Sequence, residues 1–539
     1  MEIIKFFRTL EDKRWISLSV FFGILFVIPI LIIVLRFFQT SGNIYNHIWN
    51  NLMFEYTFNT FYLVLISSSL SLLLGVLPAW FISRYHFKGK NIFDIALYLP
   101  LAIPSYIMAF TYVDILSYTG PIQSFFRNYL SDFASFLNKD YMQIEVLGIL
   151  LALALYPYIY TASRIAFSLI GSNYIDVSKN IGLSSYKFFL RVVLPLSRPA
   201  IFSGLFLVIM EVLNEYGAVI YFGVNTYTVG IFKAWFSFGD VDTAIHLASV
   251  LILVVFFIFY LERFSRKKTK FYYKANVSTQ NVTPLSSGIY LQTYLICTIP
   301  FILGFIIPFL FIIYNMIVSF EVSKIWSIFS LTFNTILVSS VSSFIIILVA
   351  LLLLFVEKIS KNPINSFVNE VISLGYAVPG AVIALGIILM LTFIESIQIV
   401  PFSLIGTFFV LIYAYVIRFL AVGKSPIQTS LEKQPDSYDD TGKNLGLGLM
   451  RLLQKIHLPI NKFALISAFI VVFVDIMKEL PITLILRPFN FDTLATKTYE
   501  FAIEEMLPLS SVYSFIIIVL GSILLIFLKQ IINKQLNVS

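Results

Sequence analysis

Apolar stretches alternate with shorter polar segments along the chain, from residues 15–38 near one end to residues 511–529 near the other. An α-helix needs about 20 mainly apolar residues to cross a hydrocarbon core of roughly 30 Å. Membrane β-strands instead alternate apolar and polar positions over about 10 residues, and these stretches lack that alternation. The pattern predicts an all-α polytopic membrane protein.

Counting the apolar stretches predicts twelve transmembrane helices. The predicted spans lie at residues 15–38, 58–83, 93–116, 146–170, 199–222, 244–262, 291–319, 332–356, 369–393, 402–422, 463–486 and 511–529. Basic residues precede the first span, as they do in secretory signal peptides. The length of this stretch and the lack of a small-residue cleavage site after it favour a retained span.

The composition supports a membrane protein and excludes several other classes. Of the 539 residues, 59% are hydrophobic and 12% are charged, whereas roughly 25% are charged in ordinary soluble domains. Cys297 is the only cysteine in the sequence, which excludes a disulfide framework and a thiolate metal cluster. The four histidines are scattered and form no metal-ligand spacing. The sequence therefore predicts neither a resident metal nor a cofactor.

The formal net charge of +8 has two interpretations. A basic balance is typical of nucleic-acid binding, but here Lys and Arg are concentrated in alternate loops between the predicted spans. By the positive-inside rule these loops and both termini are cytoplasmic, in a multi-pass protein of the inner or plasma membrane. The charge therefore indicates topology and no nucleic-acid partner, although the basic tract at 263–270 also suits contact with anionic membrane lipid.

The second half of the chain repeats the first. Pro104 recurs as Pro379, at an offset of 275 residues. Further along, the segment 180–195 (NIGLSSYKFFLRVVLP) recurs at 444–459 (NLGLGLMRLLQKIHLP), at an offset of 264. Each half contains six predicted spans, so both halves have the same orientation, as in transporters built from parallel repeats.

The repeat sets the predicted domain boundaries. We predict a first six-span half at 1–264, a cytoplasmic linker at 265–288 that is rich in Lys, Ser, Thr and Asn, and a second six-span half at 289–539. Parallel repeats commonly enclose a substrate route between them. We therefore expect a central cavity that both halves line.

The repeated segments lie in two loops, at 174–195 and 438–459, which the charge distribution places in the cytoplasm. In each loop apolar and charged positions interleave around Gly182 or Gly446, which predicts two short helices separated by a break. A short amphipathic helix suits docking into a groove of a partner, and it also suits lying on lipid headgroups. The presence of two copies favours a pair of identical or similar partner subunits.

Both loops resemble the coupling loop of ATP-binding-cassette importer permeases, whose pattern is Glu-Ala-Ala, three residues, Gly, nine residues, Ile, any residue and Leu-Pro. Both copies fit this spacing without a gap, although both alanines are replaced. The matching positions are Asp176, Gly182, Leu194 and Pro195 in the first loop and Asp440, Gly446, Leu458 and Pro459 in the second. The resemblance implies the type I permease fold in each half. It also implies that each loop couples to one of two copies of a separate ATPase subunit.

The chain itself has no recognisable ATPase motif. The phosphate-binding loop G-x-x-x-x-G-K-[ST] is absent from the sequence. Its nearest approximation, at 422–425, has Arg418 where the first Gly belongs. We expect a transport subunit that is not an enzyme and that depends on hydrolysis by its partners. A carrier driven by an ion gradient is the competing class, because two parallel six-span halves also describe secondary transporters.

The segments 211–240 and 475–505 resemble the corresponding parts of fused ferric iron permeases, and the likeness extends over most of the chain. The resemblance implies import of ferric iron that an extracytoplasmic substrate-binding protein delivers. Thiamine permeases share the fused twelve-span plan. Thiamine or another small solute is therefore the alternative substrate.

These two segments also place charged residues inside predicted spans. The candidate route residues are Glu211, Glu215, Asp475, Lys478 and Glu479, and the offset of 264 aligns Glu211 with Asp475 and Glu215 with Glu479. Residues four apart share a helix face, and a charge at the centre of a membrane helix costs about 2.5–3.5 kcal/mol on insertion scales. The acids either line a route for a hard cation such as Fe(III), which oxygen ligands suit, or they pair with basic residues and hold helices together. The candidate basic partners are Lys478, Arg164, Arg418 and Arg487.

Overall fold

The computed structural model describes residues 2–38, 44–129, 139–170, 174, 177–178, 180–267, 283–284, 287–319, 325–360, 362–398 and 402–538. Up to residue 267, the helices are α1 (Glu2–Arg36), α2 (Tyr45–Asn51), α3 (Met53–Arg84), α4 (Lys90–Ala96), α5 (Ser105–Leu116), α6 (Pro121–Tyr129), α7 (Ile144–Ser168), α8 (Ser185–Phe188), α9 (Leu194–Asn214), α10 (Gly217–Tyr221), α11 (Tyr227–Phe232) and α12 (Val241–Lys267).

From residue 290 onward, the helices are α13 (Tyr290–Phe301), α14 (Ile307–Ser319), α15 (Ile325–Ser360), α16 (Pro363–Ser373), α17 (Gly380–Ser396), α18 (Phe408–Glu432), α19 (Ser437–Asn444), α20 (Leu449–Leu452), α21 (Leu458–Ile460), α22 (Lys462–Met477), α23 (Pro481–Leu486), α24 (Leu494–Ile503) and α25 (Leu507–Val538). Short 3₁₀ segments lie at Leu99–Ala102, Ser287–Ile289 and Leu374–Tyr376, and π-helical turns lie at Phe189–Val193, Lys233–Ser237, Ile302–Ile306 and Leu453–His457. Two-residue strands, β1 (Tyr85–His86) and β2 (Thr283–Pro284), form a parallel pair.

The membrane-spanning helices agree with the predicted fold class. Within the described ranges, nine helices are long and apolar enough to cross a membrane, and the number rises to twelve if each of three bent helix pairs is one span. Two of the bent pairs cover the predicted spans at 93–116 and 369–393, and the third, which ends at Met477, covers the first part of the predicted span at 463–486. The all-α polytopic fold is confirmed. The bends are a feature that the apolar pattern does not predict.

Two of the bends have the same cause. Pro104 and Pro379, which occupy matching positions of the repeat, directly precede α5 and α17 with extended backbone (ψ 143° and 142°). Proline cannot donate a backbone hydrogen bond, and its ring clashes with the preceding helical turn. One helix therefore ends and another begins, and the chain turns by 91° in the first half and 112° in the second. The half-helices α5 and α17 thus begin inside the bundle.

The fifth predicted span of each half ends earlier than its apolar pattern. Helix α9 ends at Asn214 and α22 ends at Met477, although apolar residues continue to the predicted ends at 222 and 486. A short helix, α10 or α23, follows each break. These two interruptions bring backbone polar groups into the interior of the bundle.

The repeated loops continue directly into these fifth spans. In the first half, α8, the π-helical turn and α9 form a single 30-residue helix from Ser185 to Asn214. In the second half, the same path bends by 77° at Asn461, whose side-chain Nδ2 donates to the carbonyl oxygen of His457 (2.7 Å). A π-helical turn directly precedes the Leu-Pro pair in both halves, because a proline inside a helix leaves one carbonyl without its donor and a wider turn accommodates this change.

The first span of each half packs against the opposite half. Helix α1 contacts α16 and α17, and a Cβ atom added to Gly386 would lie 2.4 Å from the carbonyl oxygen of Pro29. Conversely, α14 contacts α5, and the hydroxyl of Tyr112 donates to the carbonyl oxygen of Leu303 (2.5 Å). Small residues permit such close approach of membrane helices. The halves are interlocked, so the apolar core contains side chains from both.

The contact at Gly386 can be tested by adding one methyl group. We expect Gly386→Ala to destabilise the protein by about 1–3 kcal/mol through overpacking against the Pro29 backbone, an effect that exceeds the gain of about 1 kcal/mol in helix propensity. Gly521→Ala is the matched control, because its Cβ atom would lie 3.4 Å from Ala102, at an ordinary contact distance. The measurement is the melting temperature in detergent. An equal melting temperature for both variants would contradict the packing of α1 on α17.

Candidate functional site

A narrow cavity of about 60 Å³ lies inside the bundle, between the two broken fifth spans. Its walls come from α5, α7, α9 and α10 of the first half and from α18, α22 and α23 of the second half. All five charged residues that the sequence singles out in the spans line it, namely Glu211, Glu215, Asp475, Lys478 and Glu479. The volume is sufficient for a few water molecules. The structure thus brings together side chains that lie 264 residues apart in the sequence.

Glu215 accepts hydrogen bonds at the break in the first half. The hydroxyl of Ser105, the first residue of α5, donates to Oε2, and the backbone N–H of Ala218 donates to Oε1 (3.0 Å). Because α10 begins at Gly217, the N–H of Ala218 is one of the N-terminal donors that have no acceptor inside their own helix. The carboxylate satisfies this donor, and the positive end of the helix dipole favours its charge.

Glu479 has the matching position in the second half. It lies before α23, and its carboxylate accepts from the backbone N–H groups of Ile482 (3.0 Å) and Thr483 (3.3 Å). The hydroxyl of Thr483 donates to the Glu479 backbone carbonyl (2.8 Å) and contacts the hydroxyl of Tyr415 (2.6 Å). Both aligned glutamates therefore cap the helix that follows the break while they line the cavity.

The other aligned pair of acids has different partners in the two halves. The hydroxyl of Tyr376, in the 3₁₀ segment before α17, donates to Oε1 of Glu211. Asp475 instead forms an ion pair with Lys478, with 2.9 Å between Oδ1 and Nζ. One acid is thus held by a neutral donor from the opposite half, and the other by a cation on its own segment.

The three candidate arginines lie in different surroundings. Arg164 contacts Asp94 (3.5 Å), and Arg487 contacts Asp492. Only Arg418 lines the cavity. It is 2% exposed, and its Nη1 donates to the carbonyl oxygen of Val378 (3.0 Å). Two of the proposed arginine partners therefore pair with acids other than the four at the cavity.

The cavity can attract a cation but does not form a chelating cage. It is lined by four acidic and two basic side chains, which gives a formal charge of −2 when all six are ionised. Across the described ranges, no three His, Cys, Asp or Glu side chains converge closely enough to hold a metal ion. All four acids line this cavity, and one of them, Asp475, also forms an ion pair.

Sequence reasoning missed three side chains that complete this site, namely Ser105, Tyr376 and Asn214. The side-chain oxygen of Asn214 accepts from the backbone N–H of Gly380 at the start of α17 (2.7 Å). Two signals were available in the sequence. Ser105 directly follows the repeated proline at 104, and Asn214 aligns with Lys478 at the offset of 264.

The loops show the predicted break at glycine in both copies. Gly182 and Gly446 have φ values of +75° and +78°, in the left-handed region, and a Cβ atom at either position would meet nothing within 4 Å. Asp440 is exposed in the first turn of α19, whereas Asp176 lies outside the described residues. The Leu-Pro positions, 194–195 and 458–459, begin α9 and α21. The two loops therefore share a left-handed glycine and a helix that begins at the Leu-Pro pair.

The second loop contains a buried polar contact that sequence reasoning did not single out. His457 Nε2 lies 2.7 Å from Oδ1 of Asp439, and Lys358 Nζ lies 3.9 Å from the other carboxylate oxygen. The aligned residue in the first loop is Val193, which is buried in a cluster with Trp80. At this aligned position the second loop therefore makes a polar contact and the first loop an apolar one.

Comparisons with known proteins agree with this architecture. Residues 71–270 match the family model described as binding-protein-dependent transport system inner membrane component. The Fe(3+)-transport system permease protein FbpB 2 of Haemophilus influenzae is 26% identical over 523 residues, which are 96% of this chain and 98% of that protein. The sulfate transport system permease protein CysT of Escherichia coli is 25% identical over 38% of this chain and 72% of its own length. The chain is therefore similar to binding-protein-dependent transport system inner membrane components over residues 71–270, and to a ferric iron permease over nearly its whole length.

Proposed function

We propose that this chain is the transmembrane permease subunit of an ATP-driven importer of the ATP-binding-cassette type, and that it carries ferric iron across the cytoplasmic membrane. The observation that carries the proposal is the cavity between the broken spans, which two carboxylates from each half line. The similarity to a ferric iron permease extends over 96% of the chain and so includes the cavity and both loops. A substrate-binding protein delivers the iron at the outer face.

The charge of the cavity favours a cation over an anion. An oxyanion would meet four carboxylates and a formal charge of −2, which opposes its entry. Fe(III) is a hard cation, and carboxylate and water oxygens suit it. Thiamine is also a cation, so the charge of the cavity does not distinguish it from iron, and it remains the alternative substrate.

The duplicated architecture supports two matching sites for the ATPase. The halves 1–264 and 289–539, joined by the linker 265–288, each present one loop, at 174–195 and 438–459. Two copies of an ATPase subunit dock on these loops, so both loops lie in the cytoplasm. Even numbers of predicted spans separate the loops from the termini, so both termini lie there too. The glycine break and the following π-helical turn occur in both loops, which supports two docking sites of one kind.

The helix that leaves the first loop offers a direct route for mechanical coupling. It runs without a break from Ser185 to Asn214, a length of about 45 Å at 1.5 Å per residue. Its end lies next to Glu215 in the cavity. When the ATPase subunits close, displacement of the loop tilts this helix and moves the cavity wall, which is how alternating access arises between two repeats.

Replacement of the two capping glutamates by glutamine tests the role of their negative charge separately from their hydrogen bonds to the helix N-terminus. Glutamine at 215 or 479 keeps an oxygen that accepts from the helix N-terminus but removes the negative charge. We expect Glu215→Gln and Glu479→Gln each to lower iron uptake by about tenfold, which corresponds to about 1.4 kcal/mol of lost interaction with the cation. The measurement is uptake of radioactive Fe(III) by cells with matched amounts of the protein in the membrane.

Glu500→Gln is the control for these variants, because Glu500 pairs with Lys497 outside the cavity lining. It should transport at the wild-type rate. Normal uptake by both cavity variants would refute the role of these carboxylates in the route.

The loop glycines are tested by a β-branched residue, which is strained at positive φ even in open space. We expect Gly182→Val with Gly446→Val to uncouple ATP hydrolysis from uptake or to prevent binding of the ATPase. Gly448→Val is a matched control, because Gly448 is also open but has a φ of −67°. Assembly is measured by co-purification, and coupling by hydrolysis and uptake in proteoliposomes. Normal assembly and transport by the double variant would show that the loops do not couple.

The energy source distinguishes this proposal from a gradient-driven carrier. We expect the chain alone in proteoliposomes to transport no Fe(III) under an imposed proton or sodium gradient. Addition of the ATPase subunits, ATP and the loaded binding protein should start uptake. Uptake driven by a gradient in the absence of the ATPase would contradict the proposal and favour a secondary transporter.

A further inference from the structure

The cavity charges break the symmetry between the two halves. At the offset of 264, the acids have acidic counterparts, but Lys478 aligns with the uncharged Asn214. Both of these positions line the cavity. The other cation at the cavity, Arg418, also belongs to the second half. The first half therefore contributes only negative charge to the site, and both positive charges come from the second half.

The two cations are held in different ways. Arg418 is buried, donates to the carbonyl oxygen of Val378, and lies 5.7 Å from the ring of Tyr376. A guanidinium is planar and rigid, and these contacts keep it in place. Lys478 is a compact ammonium on a flexible stem, and its contact is the ion pair with Asp475. Its side chain is 17% exposed, towards the cavity, whereas Arg418 is 2% exposed. Lys478 is thus the cation that can move.

The place of Lys478 in the sequence puts its ammonium among the acids. It lies at the end of α22, three residues after Asp475 and directly before Glu479. The aligned Asn214 makes no such pair, since its side-chain oxygen accepts from the Gly380 backbone. A cation that passes through the cavity and the Lys478 ammonium therefore need the same carboxylate oxygens.

We propose that Lys478 is a tethered counter-cation of the route, which occupies Asp475 when the cavity is empty, yields it to the passing metal ion, and displaces that ion when it returns. The inference rests on the proposed function, since it assigns a role in iron passage. The exchange involves no bond other than the ion pair. The ammonium reduces the formal negative charge of the empty cavity from −3 to −2, which weakens the hold of the carboxylates on Fe(III).

This role makes a prediction that a purely structural ion pair does not make. Lys478→Asn introduces the residue that the first half has at this position. Without the ammonium, the carboxylates should hold Fe(III) longer, so metal retention rises while transport falls. A structural role alone predicts lower stability and lower transport with no gain in metal retention.

The experiment uses the permease assembled with its ATPase subunits in lipid nanodiscs. The complex is incubated with Fe(III) supplied as ferric citrate and desalted, and the metal retained per complex is measured by mass spectrometry. We expect Lys478→Asn to retain about tenfold more iron than wild type, since a like charge within a few ångströms is removed, and to transport more slowly in proteoliposomes. Lys478→Arg, which keeps the charge, should restore low retention.

Lys497→Asn is the matched control, because Lys497 and Glu500 form an ion pair of the same spacing and the same 2.9 Å distance outside the cavity lining. If Lys478→Asn does not assemble because Asp475 is left unpaired, Asp475→Asn with Lys478→Asn removes both partners. This double variant keeps the formal charge of −2 and lacks the carboxylate at issue, so it should retain no more iron than wild type; higher retention would contradict the exchange at Asp475.

The outcomes separate this inference from the function on which it rests. If wild type transports iron and Lys478→Asn retains no more metal than Lys497→Asn, the counter-cation role is overturned and the iron permease stands. If wild type with its ATPase and binding protein transports no iron, both are overturned. Higher retention by Lys478→Asn together with normal retention by Lys478→Arg establishes the role.

Discussion

The interior of a membrane offers no water to hydrogen-bond with an exposed backbone group or with a carboxylate. A break in a transmembrane helix therefore requires acceptors, and a buried acid requires donors. In this protein one contact meets both requirements. Glu215 accepts the N–H of Ala218, and Glu479 accepts those of Ile482 and Thr483. An unsatisfied polar group at this depth costs several kcal/mol, so the broken spans and their acids depend on each other.

This dependence explains which parts of the site the sequence could predict. Charged residues inside long apolar stretches are easily recognised in a sequence, and the duplication aligns them. The sequence therefore predicts the four acids and Lys478 as site residues. The breaks were not predicted, because apolar residues continue through them to 222 and 486. A hydropathy scale measures the transfer of side chains from water to an apolar phase, and it contains no information about where the backbone turns. The acids reveal the breaks only when their hydrogen bonds are seen.

The same limit applies to the partners from other spans. Ser105 and Tyr376 reach the acids because Pro104 and Pro379 turn the chain by 91° and 112° near the middle of the bundle. The repeat indicated that the two prolines correspond, but the turn angles and the neighbours that follow from them depend on packing. His457 is a further case. Its burial against Asp439 results from the path of the second loop, and a scattered histidine carries no such signal.

The interlocked packing restricts how the halves move. Helix α1 packs on α16 and α17 of the opposite half, and α14 packs on α5 of the opposite half. Separation of the halves would therefore break the close contact at Gly386 and the hydrogen bond from Tyr112 to Leu303. Tilting of helices about the cavity would preserve these contacts. For the proposed transport cycle, we therefore infer a rotation within a joined body rather than a parting of two domains.

The two halves respond to the loops in unequal ways within that motion. The first loop connects to the cavity through an unbroken helix from Ser185 to Asn214, whereas the path from the second loop bends by 77° at Asn461. In the proposed cycle, displacement of the first loop would move Glu215 directly, whereas displacement of the second loop would be partly absorbed at the bend before it reaches Glu479. The unbroken helix from the first loop thus ends in the half whose charged cavity residues are all acidic. The bent helix path from the second loop ends in the half that contributes Arg418 and Lys478 to the cavity. Movement of the first half relative to the second changes the distance between carboxylates and cations, and with it the affinity of the cavity for a positive ion. If the proposed coupling holds, the mechanical asymmetry and the charge asymmetry combine so that a loop movement alters cation binding.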